Sequence, residues 1–368
     1  MGVHRDMDYK KRQTELRSLL DSHHLEVLLV THAPNVRYLC GFTGSAGALL
    51  VSEAGSMFFT DGRYTAQARE EVNAARVVIA RKAPLLAVAE HLAKQKKRTK
   101  AVRIGIEAEH LTVAERSRLV RLLPLPLRLR DTSSLVEQLR MVKDADEVKL
   151  IRDAALSGAR LFDRALEAIH PGIKETEVAG VMEYAARVAG TEEMSFPTII
   201  ASGRRSALPH GRASTAEIPR SGFVVCDFGV ILAGYCSDRT RTVHVGRPEG
   251  REREVYDTVR EAQQAGIEAV RPDIAVEEVD RAARRVLKER GLAKYFTHST
   301  GHGVGLEIHE MPRVAAGQHE VLRPGMVITI EPGVYIPGHL GVRIEDMVLV
   351  TEHGREVLAP GSTELVTI

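Results

Sequence analysis

Four acids and one histidine stand where a folded chain does not leave such groups without partners. Asp227 interrupts the apolar run "VVCDFGV", Asp238 lies in "YCSDRTRT", Glu331 ends "GMVITIE" and Glu345 sits in "VRIEDMVLV". Each run reads as a β-strand, and a carboxylate on a buried strand is costly unless it is paired or binds a cation. Two such carboxylates side by side repel, and a cation relieves them. Residues 298–312, "HSTGHGVGLEIHEMP", add His302 to the set. Oxygen-rich ligands with a single imidazole suit Mn²⁺, Co²⁺ or Fe²⁺ better than a sulfur-rich structural zinc site does. Bridging carboxylates hold two ions ~4 Å apart, the spacing of metal-assisted hydrolysis. Singly, each acid is more ordinarily a salt-bridged core residue, and His309 a hydrogen-bonded structural histidine. No HExxH forms at His309–Glu310. The joint occurrence of Asp227, Asp238, His302, Glu331 and Glu345 is what favours a site.

The elements around these residues repeat. Helices "DADEVKLIRDAALSGARLFDRALEAIHPG" and "KETEVAGVMEYAARVAG" precede strands "GFVVCDFGV" and "GYCSDRTRTVHVG". Helices "REREVYDTVREAQQAGIEAV" and "AVEEVDRAARRVLKERG" precede "GMVITIEPGVYI" and "GVRIEDMVLV". Helix, helix, strand, strand occurs twice, with a pair of acids on the strands each time. The order predicts two related halves facing each other across one site. Alternation puts Asp227 on the face of Val225 and Gly229, opposite Cys226 and Phe228. The Gly-containing turn that follows allows a hairpin with Asp227 and Asp238 side by side. Arg343 falls on the face of Glu345.

The first third alternates strand and helix signals: "LEVLLVT", "GALLVSEAGSMFFTD", "RVVIA" and "AVRIGIE" as strands, "YKKRQTELRSLLDSHH", "YTAQAREEVNAA" and "TVAERSRLVRLL" as helices. This is an α/β domain. Two prolines and a polar cluster in "PLPLRLRDTSS" mark a boundary near residue 132, giving domains at 1–132 and 133–368.

The 368 residues carry 51 basic and 49 acidic side chains, a net charge of +2, and a hydrophobic share of 44%. That balance makes no case for nucleic acid. The densest basic run, "KQKKRTK", reads as a solvated helix end. The charged start is not a signal peptide, no apolar run approaches the ~18 residues of a membrane span, and Asp6 stands where myristoylation wants Ser or Thr. Cys40, Cys226 and Cys236 form no CxxC pair, which fits a reducing compartment. A cytoplasmic protein is expected.

The segments "FPTIIASGRRSALPHG", "DFGVILAGYCSDRTRT", "STGHGVGLEIHEMP", "IEPGVYIP" and "VRIEDMVLV" together resemble the pita-bread metallopeptidases, the family of methionine aminopeptidase, aminopeptidase P and prolidase. "NVRYLCGFTGSAGALLV" and "FFTDGRYTAQA" resemble the creatinase-type domain that precedes the catalytic domain in Xaa-Pro peptidases; methionine aminopeptidases lack it. The resemblance implies an α/β N-terminal domain and an α+β pita-bread catalytic domain of two pseudo-symmetric halves. It implies two divalent metal ions, Mn²⁺ first with Co²⁺, Fe²⁺ or Zn²⁺ as alternatives, on Asp227, Asp238, His302, Glu331 and Glu345. His210 and His309 would meet substrate at the scissile carbonyl, and Glu331 would shuttle a proton. Tyr335 would wall the site, and Arg343 would orient a ligand carboxylate. Gly301, Gly303 and Gly305 would let the backbone approach metals and substrate.

Proline-containing peptides are the implied substrates and a homodimer the expected assembly. Arg313 matches the position at which prolidases pair with a dipeptide's carboxylate; its alternative is a surface arginine. "FFTDGRY" and the compact length resemble small bacterial aminopeptidases P. The sequence reading is therefore aminopeptidase P, with prolidase as the alternative. A creatinase-like amidinohydrolase or a noncatalytic binding relative fits less well, because no ligand is missing.

Overall fold

The computed structural model describes residues 7–94, 102–124 and 127–368. It divides into two units, Met1–Arg140 and Met141–Ile368. Among the described residues no helix is long and apolar enough to cross a membrane. The basic run beyond Lys94 lies outside the described residues.

The first unit runs α1 (Tyr9–Ser22), β1 (Val27–Val30), α2 (Ala33–Cys40), β2 (Ala48–Ser52), β3 (Gly55–Asp61), α3 (Thr65–Glu71), β4 (Arg76–Ala80), α4 (Pro84–Lys94), β5 (Val102–Glu107), α5 (Val113–Leu122), β6 (Leu127–Thr132) and α6 (Leu135–Arg140). The strands form one sheet in the order β4-β3-β2-β1-β5-β6. β2 is antiparallel to both its neighbours, and the outer pairs are parallel. One face buries Leu29, Leu50, Phe59 and Ile104 against Val88 and Leu92 of α4 and Leu119 of α5.

The expected boundary at 132 is corrected. The stretch read as a linker carries β6, whose Leu127 and Leu129 pack on that core while Arg128 and Arg130 are exposed. α6 then packs on α1 and α2, so the division falls after Arg140. Pro124 precedes the strand, where it removes no ladder hydrogen bond, and Pro126 lies outside the described residues.

The second unit opens with α7 (Ala145–Ala168) and α8 (Glu175–Val188), followed by β7 (Glu193–Met194), β8 (Ile199–Ser202), β9 (Gly222–Phe228), β10 (Val230–Leu232), β11 (Tyr235–Cys236) and β12 (Arg239–Val245). It continues with α9 (Gly250–Ala269), α10 (Val276–Glu289), β13 (Gly301–Gly303), β14 (Glu310–Val314), β15 (Val327–Ile330), β16 (Gly333–Ile336), β17 (Leu340–Arg343), β18 (Asp346–Thr351) and β19 (Gly354–Val357). Asp144 and Glu147 form a capping box at the start of α7. The inner side of β9, with Val224, Cys226 and Phe228, packs against Leu161 and Ala165 of α7 and Val178 and Met182 of α8. The two main sheets are β12-β9-β8 and β14-β13-β15-β18-β19.

The two halves match bond for bond where their second helices begin. In the first, Gly172 N donates to Ile218 O, Ile218 N to Ile173 O and Glu175 N to Ala216 O. In the second, Asp273 N donates to Leu322 O, Leu322 N to Ile274 O and Val276 N to Glu320 O. Gly172 and Asp273 both have positive φ, at 87° and 64°. Glu175 and Val276 are the first residues of helices of 14 residues each. The repeat read from element order is therefore present in backbone detail.

Candidate active site

Of the four carboxylates, only Asp227 lies within a strand. Asp238 sits in the break between β11 and β12, Glu331 follows β15 and Glu345 falls between β17 and β18. The expected side-by-side pairing of Asp227 with Asp238 is not formed: Thr240 opposes Asp227. The cause is the break at Ser237, whose N–H donates to Val230 O at 2.9 Å and whose hydroxyl accepts from Val230 N at 3.0 Å. Asp238 still shares the face of Thr240, two residues on, and so lies diagonal to Asp227.

Asp238, His302 and Glu345 each offer a ligand atom within 4.8 Å of the others. His302 Nε2 lies 3.5 Å from both Asp238 Oδ2 and Glu331 Oε1. Its Nδ1 is 3.0 Å from Gly303 O. A proton on Nδ1 serves that carbonyl and leaves Nε2 with its lone pair facing the carboxylates. Arg343 joins Asp227 to this group. Its Nη2 donates to Asp227 Oδ2 at 2.6 Å and its Nε to Thr240 Oγ1 at 3.1 Å, while Nη1 donates to Tyr335 OH at 2.6 Å and Pro209 O at 3.1 Å. Thr240 Oγ1 in turn donates to Glu345 Oε2 at 2.7 Å.

Burial of like charges is visible in the proton affinities. Burial, reinforced by the charges of Glu345, Asp227 and Glu331, holds Asp238 well above the usual carboxylate range. Glu331 is raised in the same way by burial and Glu345. Burial and Asp227 push Glu345 up to about 8. Burial also lowers His302 to about 4, with the charge of His309 adding to it. Asp227 Oδ1 and Glu345 Oε1 are buried with no hydrogen-bond partner. An unsatisfied buried acceptor costs about 1–3 kcal/mol. Orphaned carboxylate oxygens beside a lone-pair nitrogen fit divalent cations, and the oxygen-rich donor set matches hard or borderline metals.

His210 and His309 are exposed, and neither ring makes a hydrogen bond with the described residues. His309 lies edge-on to His302 with centroids 4.4 Å apart. Burial lowers the proton affinity of His309, and the charge of His210 lowers it further. Arg313 is exposed and directly opposes His302 in the β13–β14 ladder. Opposed residues share a sheet face, so Arg313 projects on the side of His302, and it has no partner among the described residues.

Tyr335 is buried, its hydroxyl held by Arg343 and 2.9 Å from His298 Nε2. The three glycines stand where a side chain would collide with neighbouring chain. A Cβ at Gly301 would meet Thr329 O at 1.8 Å, one at Gly303 would meet Met311 O at 2.2 Å, and one at Gly305 the Glu310 carboxylate at 2.6 Å. That carboxylate pairs with Lys143 at 3.0 Å, both side chains nearly fully buried.

Several supporting residues were not assigned from sequence. Thr329 Oγ1 accepts from His302 N at 3.1 Å and reaches Glu331 Oε1 at 3.4 Å. Half-buried His298, lowered to about 4 by burial and Arg343, lies within hydrogen-bond distance of Tyr335 OH. Asp280 accepts from Thr300 Oγ1 at 2.7 Å and from Arg284, which also bonds His298 O. The available signal was strand period: Thr240 lies two residues after Asp238, and Thr329 two before Glu331.

Residues 149–352 match metallopeptidase family M24, and residues 12–142 match the creatinase/prolidase N-terminal domain. An Xaa-Pro dipeptidase of Pyrococcus horikoshii is 38% identical over 94% of this chain and 96% of its own. The solved structure of an Xaa-Pro dipeptidase from Bacillus anthracis covers 98% of this chain and 100% of its own, at 39% identity and a TM-score of 0.93. An X-Pro aminopeptidase from Thermotoga maritima covers 97% of this chain and 99% of its own, at 32% identity and a TM-score of 0.87. With a creatinase-type domain ahead of a pita-bread unit whose buried carboxylates surround one imidazole, the chain belongs to metallopeptidase family M24.

Proposed function

We propose that the protein is an Xaa-Pro dipeptidase that hydrolyses the bond before proline in a two-residue peptide. The observation that carries this choice over aminopeptidase P is Arg313: an exposed guanidinium with no partner among the described residues, on the sheet face of His302. A dipeptide ends in a carboxylate one residue past the scissile bond, and a guanidinium pairs with carboxylates through two parallel hydrogen bonds. The relatives named Xaa-Pro dipeptidase support the same choice. The "FFTDGRY" resemblance weighs less. Within it, Asp61 accepts from Arg63 N at 3.0 Å and pairs with the Arg63 side chain, a local turn-holding task.

Asp227, Asp238, His302, Glu331 and Glu345 would hold the divalent cations, Mn²⁺ being the first to try. Bound there, the cations supply a nucleophilic water at neutral pH and polarise the peptide carbonyl. His210 and His309 donate to the carbonyl oxygen as negative charge develops on it. Glu331, steadied by Thr329, moves the proton of the attacking water to the proline nitrogen, which cannot leave as an amide anion. Arg313 fixes the peptide's carboxylate and so its register. The bond before proline is a tertiary amide with a fixed φ, so a site shaped for the ring has a substrate that general peptidases handle poorly.

The test is initial rates on Ala-Pro and Ala-Pro-Ala after chelator treatment and Mn²⁺ addition. Ala-Pro alone is turned over, and Arg313→Ala raises its KM roughly 10- to 100-fold with little change in kcat. Equal turnover of the tripeptide would make the protein an aminopeptidase and Arg313 a bystander.

A further inference from the structure

Glu175 is fully buried and belongs to none of the groups described above. It receives five donors: Oε1 accepts from Ser202 N at 2.8 Å and Ser202 Oγ at 2.9 Å, Oε2 from Ser214 N at 3.1 Å and Ser214 Oγ at 2.7 Å, and both face Arg205 Nε, at 3.2 and 3.0 Å. Ser202 ends β8, and Ser214 lies at the far end of the segment that carries His210. One carboxylate thus ties both ends of a single loop. Arg205 extends the tie into the loop, donating through Nη2 to Arg212 O at 2.8 Å, and Arg212 N donates to His210 O at 2.9 Å.

The fold does not require an acid there. Val276 holds the corresponding place in the second half, with the same backbone bonds around it, and is fully buried. A charge removed from water must be repaid by partners, and every donor comes from the His210 loop or its ends. The His210 ring is exposed and makes no hydrogen bond to the described residues, so its placement depends on the loop that carries it.

We infer that Glu175 is a positioning residue for His210: it fixes the 203–213 loop so that the imidazole meets the substrate carbonyl. This rests on the reading of His210 as a substrate contact.

The test is a double-mutant cycle on the metal-loaded enzyme with Ala-Pro, together with hydrogen exchange. Glu175→Gln keeps the shape but removes the charge and one acceptor. It should lower kcat/KM on the order of 10- to 100-fold, mainly in kcat, with metal content unchanged. In the His210→Ala background the same change should have an effect of less than about twofold, because interacting residues are non-additive. The milder Ser214→Ala removes one donor, guards against a folding failure of the first variant, and should repeat the pattern at smaller size. Both variants should speed amide exchange within 203–213 and leave 298–314 unchanged. Equal effects of Glu175→Gln with and without His210, or a His210→Ala enzyme as fast as the parent, would overturn the inference. So would unchanged exchange in the loop. A parent enzyme inactive on Xaa-Pro peptides would instead sink the dipeptidase reading, and exchange alone would then judge whether Glu175 anchors the loop.

Discussion

The first half of the second unit brings His210 to the site and the second half His302 and His309, and His302 and His210 are held in opposite ways. His302 is buried on a strand, with its backbone N–H on Thr329 Oγ1 and its Nδ1 at Gly303 O. Its one remaining nitrogen faces carboxylates. His210 is exposed on a loop, and its ring bonds to nothing among the described residues. A ring locked by its own bonds suits a permanent ligand. A ring left open suits a partner that comes and goes. Two halves built on one repeat thus present their histidines from unlike backbone, one from a strand and one from a loop.

The sharpest way to break this contrast is to remove each ring in turn. His302→Ala should abolish both metal retention and turnover, measured by metal analysis after desalting and by peptide hydrolysis. His210→Ala should retain metal and lose roughly 10²-fold in kcat. Loss of metal from both would mean that the two histidines do the same work.

Next in size is Arg343, which draws Asp227, Thr240, Tyr335 and Pro209 O together from both halves. Arg343→Met should cost roughly 10- to 100-fold in kcat/KM. Arg343→Lys should recover little of this, because an ammonium cannot reproduce the guanidinium fork. A lysine variant as active as the parent would reduce the residue to a charge.

How much of this was legible in the sequence follows the same division. Asp227, Asp238, Glu331 and Glu345 stand out because each interrupts or ends a run that reads as a strand, and His302 because it sits in a glycine-rich segment. Arg343 and Tyr335 needed the family resemblance, and the position of Tyr335 needed the structure. The break at Ser237 was not legible, because it depends on a side-chain bond to Val230 seven residues away. Nor was Glu175: at a helix start an acid is ordinary, and only the folded loop shows what it holds.

The smallest predicted effect concerns proton linkage in the metal-stripped protein. Glu345 titrates at about 8 when folded against an ordinary 4.5, so the folded state holds more protons than the unfolded one between those values. Its contribution to stability is complete below about pH 4.5 and is lost as pH rises toward 8. His298 and His302, lowered to about 4, act oppositely, and only below pH 6.5. From pH 6.5 to 8 the carboxylates alone set the slope. The stripped protein's Tm should fall there by roughly 4–8 °C, and Mn²⁺ should flatten the curve. A flat profile without metal would show that the carboxylates do not repel as placed.

The leucine–arginine alternation of β6 has a consequence away from the chemistry. β6 closes one side of its sheet, and a bare strand side is a template on which foreign strands can grow. Leu127 and Leu129 secure the strand to its own core, while Arg128 and Arg130 line the outer surface with like charge. Within the stretch first read as a linker, this alternation is what a sheet edge needs to resist aggregation.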